Sequence, residues 1–375
     1  MTKDLNSRRS RSISSESPVV DIASEKKDRE SIYGFRYRIY VELMNKNLSS
    51  VDHVNKLMYD DFDYWGLIIY VRIGLEIVGT LRLNIGFIND FSSFFINSYR
   101  LDKFHKIAID NKKSPILCFA SKLMIAPAYQ GTYIIKLIME KVHSICREKK
   151  IQFMFMGCAP GLVSFYEKMG FRRYTSNINI PEYGYIVPLV ILPEDAEHLC
   201  NVDSPFIFDN KVEYSSKMSA WLAQEFPETI KFINLNLINR ENYWDFLTEK
   251  FKNPPDKAIT LFHGLSRTQI YRILRTATIL QCQKGDAVIN SDSVDEAFIL
   301  LSGTLEISRQ VSGYHHLISI LDAGQAFINI VSGDLSTRET TVTALTDSEI
   351  LVLSSNLINR IASLTEPKAI LHQSS

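Results

Sequence analysis

The chain has 375 residues with 42 Lys+Arg against 42 Asp+Glu, and it is 46% hydrophobic and 11% aromatic. At about 150 residues per domain this length predicts two or three folded units, each with enough apolar side chain for a core. The zero balance argues against non-specific nucleic-acid binding, which draws on an excess of Lys and Arg to release phosphate counterions.

By segment the formal charge is +1 over residues 1–30, +4 over 31–200, −2 over 201–255 and −3 over 256–375. The longest apolar runs, 66–71 and 185–192, fall well short of a bilayer span, which needs roughly 18 residues. The N-terminus has no apolar signal-like core, so no secretory signal is expected. The cysteines (Cys118, Cys146, Cys158, Cys200, Cys282) show no CxxC spacing and sit beside apolar residues, which predicts buried, reduced thiols in a cytoplasmic protein.

Residues 1–28 are rich in Ser, Arg, Lys and Glu and carry too few apolar groups to offset ordering entropy, so a disordered tail is expected. From residue 31 the pattern changes, and Phe35, Ile39 and Leu43 recur at helical spacing. Two apolar runs, 67–71 and 77–83, flank Gly74-Leu75-Glu76 and predict a hairpin. Residues 116–125 read as a strand. Ile134, Ile135, Ile138, Val142, Ile145 and Cys146 mark the apolar face of an amphipathic helix ending at Arg147-Glu148-Lys149-Lys150. The continuous apolar run 151–156 predicts a strand covered on both faces. A helix over 162–169 and strands around 171–174 and 185–192 complete an α/β unit over 31–199.

Residues 200–255 read as a helical connector with aromatic anchors at Trp221, Phe226, Phe232, Tyr243, Trp244 and Phe246, stopped by Asn253-Pro254-Pro255. Over 256–370, short apolar segments (287–290, 297–301, 304–308, 316–321, 341–344 and 349–353) alternate with Gly, Asp and Ser turns. That spacing predicts a β-roll with a helix before it, 266–277, and one after, 355–364.

The stretch from Ser121 to Tyr133 carries a strand through Pro127 and a Gly131-bearing loop into the amphipathic helix. Loop N–H groups and a helix N-terminus then converge on one spot suited to a phosphate. This passage, and Ala159-Pro160-Gly161-Leu162-Val163-Ser164-Phe165-Tyr166-Glu167-Lys168-Met169-Gly170-Phe171, resemble the donor loop and later helix of the GNAT acyltransferase superfamily. The resemblance implies that Gln130, Gly131, Thr132 and Tyr133 grip the donor's pyrophosphate or phosphopantetheine. It also implies that Tyr166 protonates the departing thiolate as a general acid. Backbone N–H groups of the strand at Leu123 and Ile125 are expected to hold the oxyanion. Where the superfamily loop has small residues, this one has Tyr133 and Ile135.

Phe35-Arg36-Tyr37-Arg38-Ile39-Tyr40, Asp60-Asp61-Phe62-Asp63 and Gly79-Thr80-Leu81-Arg82 resemble one branch of that superfamily. It holds the acyl-homoserine-lactone synthases and the long-chain N-acyl amino acid synthases, which take acyl groups from acyl carrier protein. The resemblance implies a charged cluster of Arg36, Asp60, Asp63 and Arg82 near the amine and donor sites. The lactone synthases carry an acidic residue shortly before the strand position matched by Lys122; Cys118-Phe119-Ala120 has none, which favours plain amide formation. Asp60 or Asp63 would then accept the amine proton or orient the substrate, and Arg36 or Arg82 would bind a carboxylate bidentately. A purely structural ion-pair network is the alternative for the same four residues.

Further on, Leu261-Phe262-His263-Gly264-Leu265, Gln283-Lys284-Gly285-Asp286, Phe298-Ile299-Leu300-Leu301-Ser302-Gly303 and Leu321-Asp322-Ala323-Gly324 resemble cyclic-nucleotide-binding domains. In that family a Gly-Glu pair holds the ribose and an Arg the cyclic phosphate. The matching positions here are Ile328-Asn329 and Arg338, followed by Thr341. Without the small residue and the carboxylate, the grip on cyclic AMP or GMP is weakened, and a structural or regulatory module is expected.

Together these readings predict a GNAT-like mixed sheet flanked by helices, a helical connector and a cyclic-nucleotide-binding-like β-roll. The expected activity is transfer of an acyl group from acyl carrier protein or acyl-CoA to a small amine such as an amino acid. No nucleic-acid partner, membrane span or metal is expected; the histidines show no ligand spacing. The competing readings are a non-catalytic sensor or scaffold with two degenerate sites, and a nucleotide-regulated protein lysine acetyltransferase.

Overall fold

The computed structural model describes residues 16–354 apart from 45, 47, 49–50, 111–115, 181–182, 207–215, 233, 235–239, 290–295, 312–313 and 330–339. The helix expected over 355–364, Arg338 and the first fifteen residues of the expected tail therefore lie outside the described residues.

The first strand, β1 (Val19–Ile22), pairs antiparallel with β2 (Leu67–Ile73), and α1 (Lys26–Tyr37) follows it. The tail expectation thus fails for residues 19–28. Val20 and Ile22 pack against the main sheet core, and Ala23 is buried in a separate cluster with Ile32, Ile68 and Tyr70. This short alternation is easily lost among flanking charges in a sequence.

Next come β3 (Glu76–Gly86), α2 (Ser93–Ser98), α3 (Leu101–Asp110), β4 (Leu117–Ile125), α4 (Ile134–Glu148) and β5 (Phe153–Cys158). Then follow α5 (Val163–Lys168), β6 (Arg172–Arg173), β7 (Ile178–Ile180) and β8 (Gly184–Ile191). The strand order is β1-β2-β3-β4-β5-β8-β6, with β7 also on β8. Every ladder is antiparallel except β4–β5, whose parallel pairing goes with the α4 crossover between them.

Helix α4 lays Ile134, Ile138, Val142 and Ile145 on one face of the sheet. Gly79 of β3 permits that approach: a Cβ there would lie 3.1 Å from both Ile134 Cγ2 and Ile138 Cδ1. An aromatic layer of Phe104, Phe153, Phe155, Tyr174, Trp221 and Phe226 covers the other face. Helices α2 and α3, which periodicity did not predict, are held by that layer.

Helix α6 (Ala196–Asn201) spans the expected boundary, and the connector contributes α7 (Ser216–Glu225) and α8 (Arg240–Phe251). Trp221 of α7 packs on the first sheet, whereas Tyr243 and Leu247 of α8 belong to the core of the second unit.

After α9 (Pro255–Ala258) and α10 (Arg267–Leu274) come the strands of the β-roll: β9 (Thr278–Cys282), β10 (Ala287–Ile289), β11 (Glu296–Ser302), β12 (Leu305–Val311), β13 (Tyr314–Leu321), β14 (Ala326–Asn329), β15 (Thr340–Ala344) and β16 (Ser348–Ser354). They form two four-stranded sheets, β10-β15-β12-β13 and β14-β11-β16-β9. The expected architecture, an α/β mixed sheet followed by a β-roll, is the observed one. One apolar cluster runs without a break from Val71 and Val187 of the first sheet and Val163 of α5 into Leu280, Phe298 and Val352 of the roll. Cys118, Cys146, Cys158 and Cys282 are buried as expected, but Cys200 is exposed at the end of α6. Among the described residues no helix is long and apolar enough to cross a membrane.

Candidate active site

The site begins where the sheet comes apart. Parallel pairing of β4 with β5 stops at Phe119 and Phe155, although both strands continue. From there β5 pairs only with β8, and β4 runs on to Ile125 paired only with β3. The side of β4 facing β5 therefore carries no ladder over residues 120–125, which leaves backbone groups available in the gap. Leu123 and Ile125 lie on this stretch, half-buried.

Opposite Leu81 the register slips, because Thr80 faces Met124 while Arg82 faces Ser121. Lys122 takes up the extra residue with φ +56°, a left-handed conformation that non-glycine side chains rarely adopt. The bulge turns the Lys122 ammonium into a box of two phenols. Its Nζ donates to Tyr183 Oη at 2.8 Å, and stands 5.7 Å from the Tyr40 and 5.0 Å from the Tyr183 ring centres.

The four charged residues expected from sequence do meet. Asp63, on the turn after the extended Asp60, accepts from Arg36 Nη1 at 2.7 Å and lies 2.9 Å from Arg82 Nη1. Arg82, on β3, also donates to Asp60 and, through Nε, to Ser121 Oγ at 3.0 Å. Lys122 Nζ adds a third cation, 3.4 Å from Asp60 Oδ2. The Arg36 and Asp63 side chains are 0% and 2% exposed, whereas that of Asp60 is 31% exposed and forms the open side of the cluster.

Burial pushes the Arg36 guanidinium below its ordinary range, and Asp63 opposes that. Burial pushes the Asp60 carboxyl up, but Arg82, Lys122 and Arg36 outweigh it and hold the group below the usual carboxylate range. An aspartate held ionised this firmly is a poor proton acceptor and a good anchor for an ammonium or amine. With three cations and two carboxylates the cluster is formally one positive charge in excess. Arg36 Nε and Nη2, two donors on one edge of the guanidinium, have no hydrogen-bond partner among the described residues.

Tyr166, on α5, is buried against Phe165 and Phe171, and its phenol is pushed well above the ordinary value by burial, then by Cys158 and Tyr40. Tyr40 in turn feels Lys122, Tyr183 and Arg36, so it lies electrostatically between the charged cluster and Tyr166. The Cys158 thiol is pushed far up by burial and stays protonated, which removes it as a nucleophile.

The donor loop lies at the other end of the gap. Gln130, Gly131, Thr132 and Tyr133 are all exposed, Gly131 adopts φ +75° and Tyr133 caps the start of α4. The Gln130 side chain donates to Ile125 O at 3.3 Å, and Thr132 Oγ1 donates to Tyr129 O at 2.6 Å. Tyr133 stands 57% exposed.

Sequence reasoning did not single out Lys122, Tyr40 and Tyr183 as site residues. Tyr40 and Lys122 lie within motifs that carry the resemblance, but the bulge is what brings them together with Tyr183.

In the roll, Ile328 and Asn329 end β14, paired with Ala297 and Glu296 of β11, and Thr341 lies half-buried on β15.

Residues 35–140 and 108–180 match acetyltransferase (GNAT) domain families, and residues 279–363 match the cyclic nucleotide-binding domain family. The chain thus carries a GNAT domain followed by a cyclic nucleotide-binding domain. Among solved structures it is similar to FeeM, an N-acyl amino acid synthase from uncultured soil microbes, at 12% identity over 47% of this chain and 92% of that one, with a TM-score of 0.37. It is also similar to the AHL synthase LasI, at 14% identity over 47% and 90% of the two chains, with a TM-score of 0.35. The roll is similar to the regulatory domain of Toxoplasma gondii PKA with cAMP, at 19% identity over 33% of this chain and 46% of that one, with a TM-score of 0.27. This chain therefore spans under half of that last protein. No curated protein matches the sequence.

Proposed function

We propose that the protein is an N-acyltransferase that joins an acyl group, delivered as a thioester, to the amine of a small carboxylate-bearing acceptor such as an amino acid. The observation that carries this reading is the place of the charged cluster: Lys122 belongs to the stretch of β4 that has no ladder on the side of the gap. The acyl thioester would lie in the gap, its carbonyl oxygen facing free backbone N–H groups near Leu123 and Ile125. Asp60, on the open side of the cluster, orients the attacking amine, while the cluster's surplus positive charge suits the acceptor's carboxylate. As the carbon–sulfur bond breaks, the amine's proton is lost to solvent and Tyr166 supplies one to the sulfur. A free amino acid fits this cluster better than a lysine on a protein surface, which brings no carboxylate.

For the donor, exposed Gln130, Gly131 and Thr132 offer a phosphate seat. The surplus of four positive charges over 31–200 favours an acidic carrier protein, since such fields steer encounter. The test is incubation of the purified chain with acyl carrier protein or coenzyme A thioesters and a panel of amino acids, read by mass spectrometry. N-acyl amino acids should form, and form faster than N-acyl products of the corresponding decarboxylated amines. Equal rates for both would remove the carboxylate-recognition role, and no product with any pair would remove the enzyme reading.

A further inference from the structure

Helix α5, which carries Tyr166, begins without a side-chain cap of its own. The leading N–H groups of a helix have no partner within it and need one from elsewhere. Val163 N donates to Pro160 O in the preceding turn, and two further partners come from the β-roll. Glu296, the first residue of β11, accepts from Gly161 N at 2.6 Å in the turn leading into α5, and Thr278 Oγ1, at the start of β9, accepts from Ser164 N at 3.1 Å. Glu296 and Thr278 are only 3% and 2% exposed.

Gly161 is shaped for this contact: a Cβ there would lie 2.5 Å from Glu296 Oε1. The other end of the α5–β6 unit is fastened to the same module. Arg173 pairs with Glu167 of α5 at 2.8 Å and donates to Ile279 O of β9 at 2.6 Å.

We infer that Glu296 is a positioning residue of the first unit: from the β-roll it caps the Tyr166 helix and fixes where the phenol stands. The inference rests on the reading of Tyr166 given above. It assigns the second module a standing structural part in the site, independent of any nucleotide.

Glu296 is backed by Asn329 of β14 and Ser354 of β16 across the ladder. The titratable groups that act on it across the junction are Lys46 and Cys158. Burial pushes its carboxyl up to about 7, against the pull of Gly161 N–H and Lys46. The folded chain thus holds this proton more tightly than the unfolded one. The stability contribution is complete below the ordinary glutamate range of about 4.3 and is lost as pH rises through 7. Between pH 6 and 8 the thermal midpoint of the native chain should therefore fall more steeply than that of Glu296→Gln. Equal slopes would overturn the seating of an ionisable group at this junction.

The deciding experiment uses the full chain and two readouts that need no turnover, amide exchange at Gly161 and the ring resonance of Tyr166. Glu296→Ala should speed Gly161 exchange by at least about tenfold, as leaving a buried donor without its acceptor implies, and should move the Tyr166 resonance. Glu296→Gln, which keeps an acceptor oxygen, should leave both near native, and Gly161→Ala should reproduce the alanine effect should Glu296→Ala fold poorly. Unchanged exchange, or faster exchange with an unmoved Tyr166 resonance, overturns the inference. On a confirmed substrate kcat should fall about tenfold in Glu296→Ala with the acceptor KM unchanged. A native chain that transfers no acyl group would overturn the functional reading, while exchange and resonance still decide the capping role.

Discussion

Asp63→Ala is expected to lower stability by about 3–5 kcal/mol, the usual result of removing one partner from a buried ion pair. Asp63 is the only carboxylate in the described cluster that touches both buried guanidiniums, Arg36 and Arg82, and its Oδ2 also accepts from Asp60 N at 3.0 Å. Without it Arg36 would be left sealed from water with no anion beside it, since Asp60 lies against Arg82 and Lys122. The thermal midpoint should fall by about 4–6 °C for a chain of this size, and a fall under about 2 °C would contradict the arrangement. A double variant, Arg36→Met with Asp63→Leu, separates structure from function. Apolar replacement of a whole buried pair is often neutral or stabilising. The double variant should therefore recover most of the stability and none of the acyl transfer. Recovery of both would reduce these residues to scaffolding.

Tyr166→Phe is expected to lower kcat on a confirmed acyl donor by about 10² to 10³, within the range for loss of a general acid. The change removes one oxygen from a ring held between Phe165 and Phe171, so the packing and the donor KM should persist. Burial pushes this phenol well above its ordinary value, so it keeps its proton at every working pH. The pH–rate profile of the native enzyme should consequently show no loss on the alkaline side from Tyr166 up to at least pH 9. An undiminished kcat in the phenylalanine variant would remove Tyr166 from the chemistry and leave departure of the thiolate to solvent protons.

Much of the fold was legible because its signals are local. The Gly74 hairpin, the α4 face from Ile134 to Cys146, and the recurring short strands of the roll follow from periodicity and turn chemistry. The motifs around Arg36, Asp60, Asp63 and Arg82 also led to residues that meet in space. Less legible was whatever depends on one segment meeting another. Lys122 reads only as the basic residue of a strand motif, with no site role, until the bulge opposite Leu81 turns it in toward Tyr183. Glu296 reads as one more acidic residue in an acidic module until β11 carries it to Gly161. β1 was masked by its charged flanks, and α2 and α3 by an aromatic composition that follows no single period.

The unbroken apolar cluster joining the first sheet to the roll limits how this protein can respond to anything it binds. Paired domains usually swing when their shared surface is small and polar. Here a swing would split the cluster that Leu280 and Phe298 share with Val163 and Val187 and expose part of it to water. The two halves are therefore closer to a single casting than to a jaw. A signal arriving at one end would reach the other as a tightening or loosening of contacts, with the outline of the molecule unchanged. Activity could then be graded by how firmly the Tyr166 helix is held, without the gap beside β4 having to open or close.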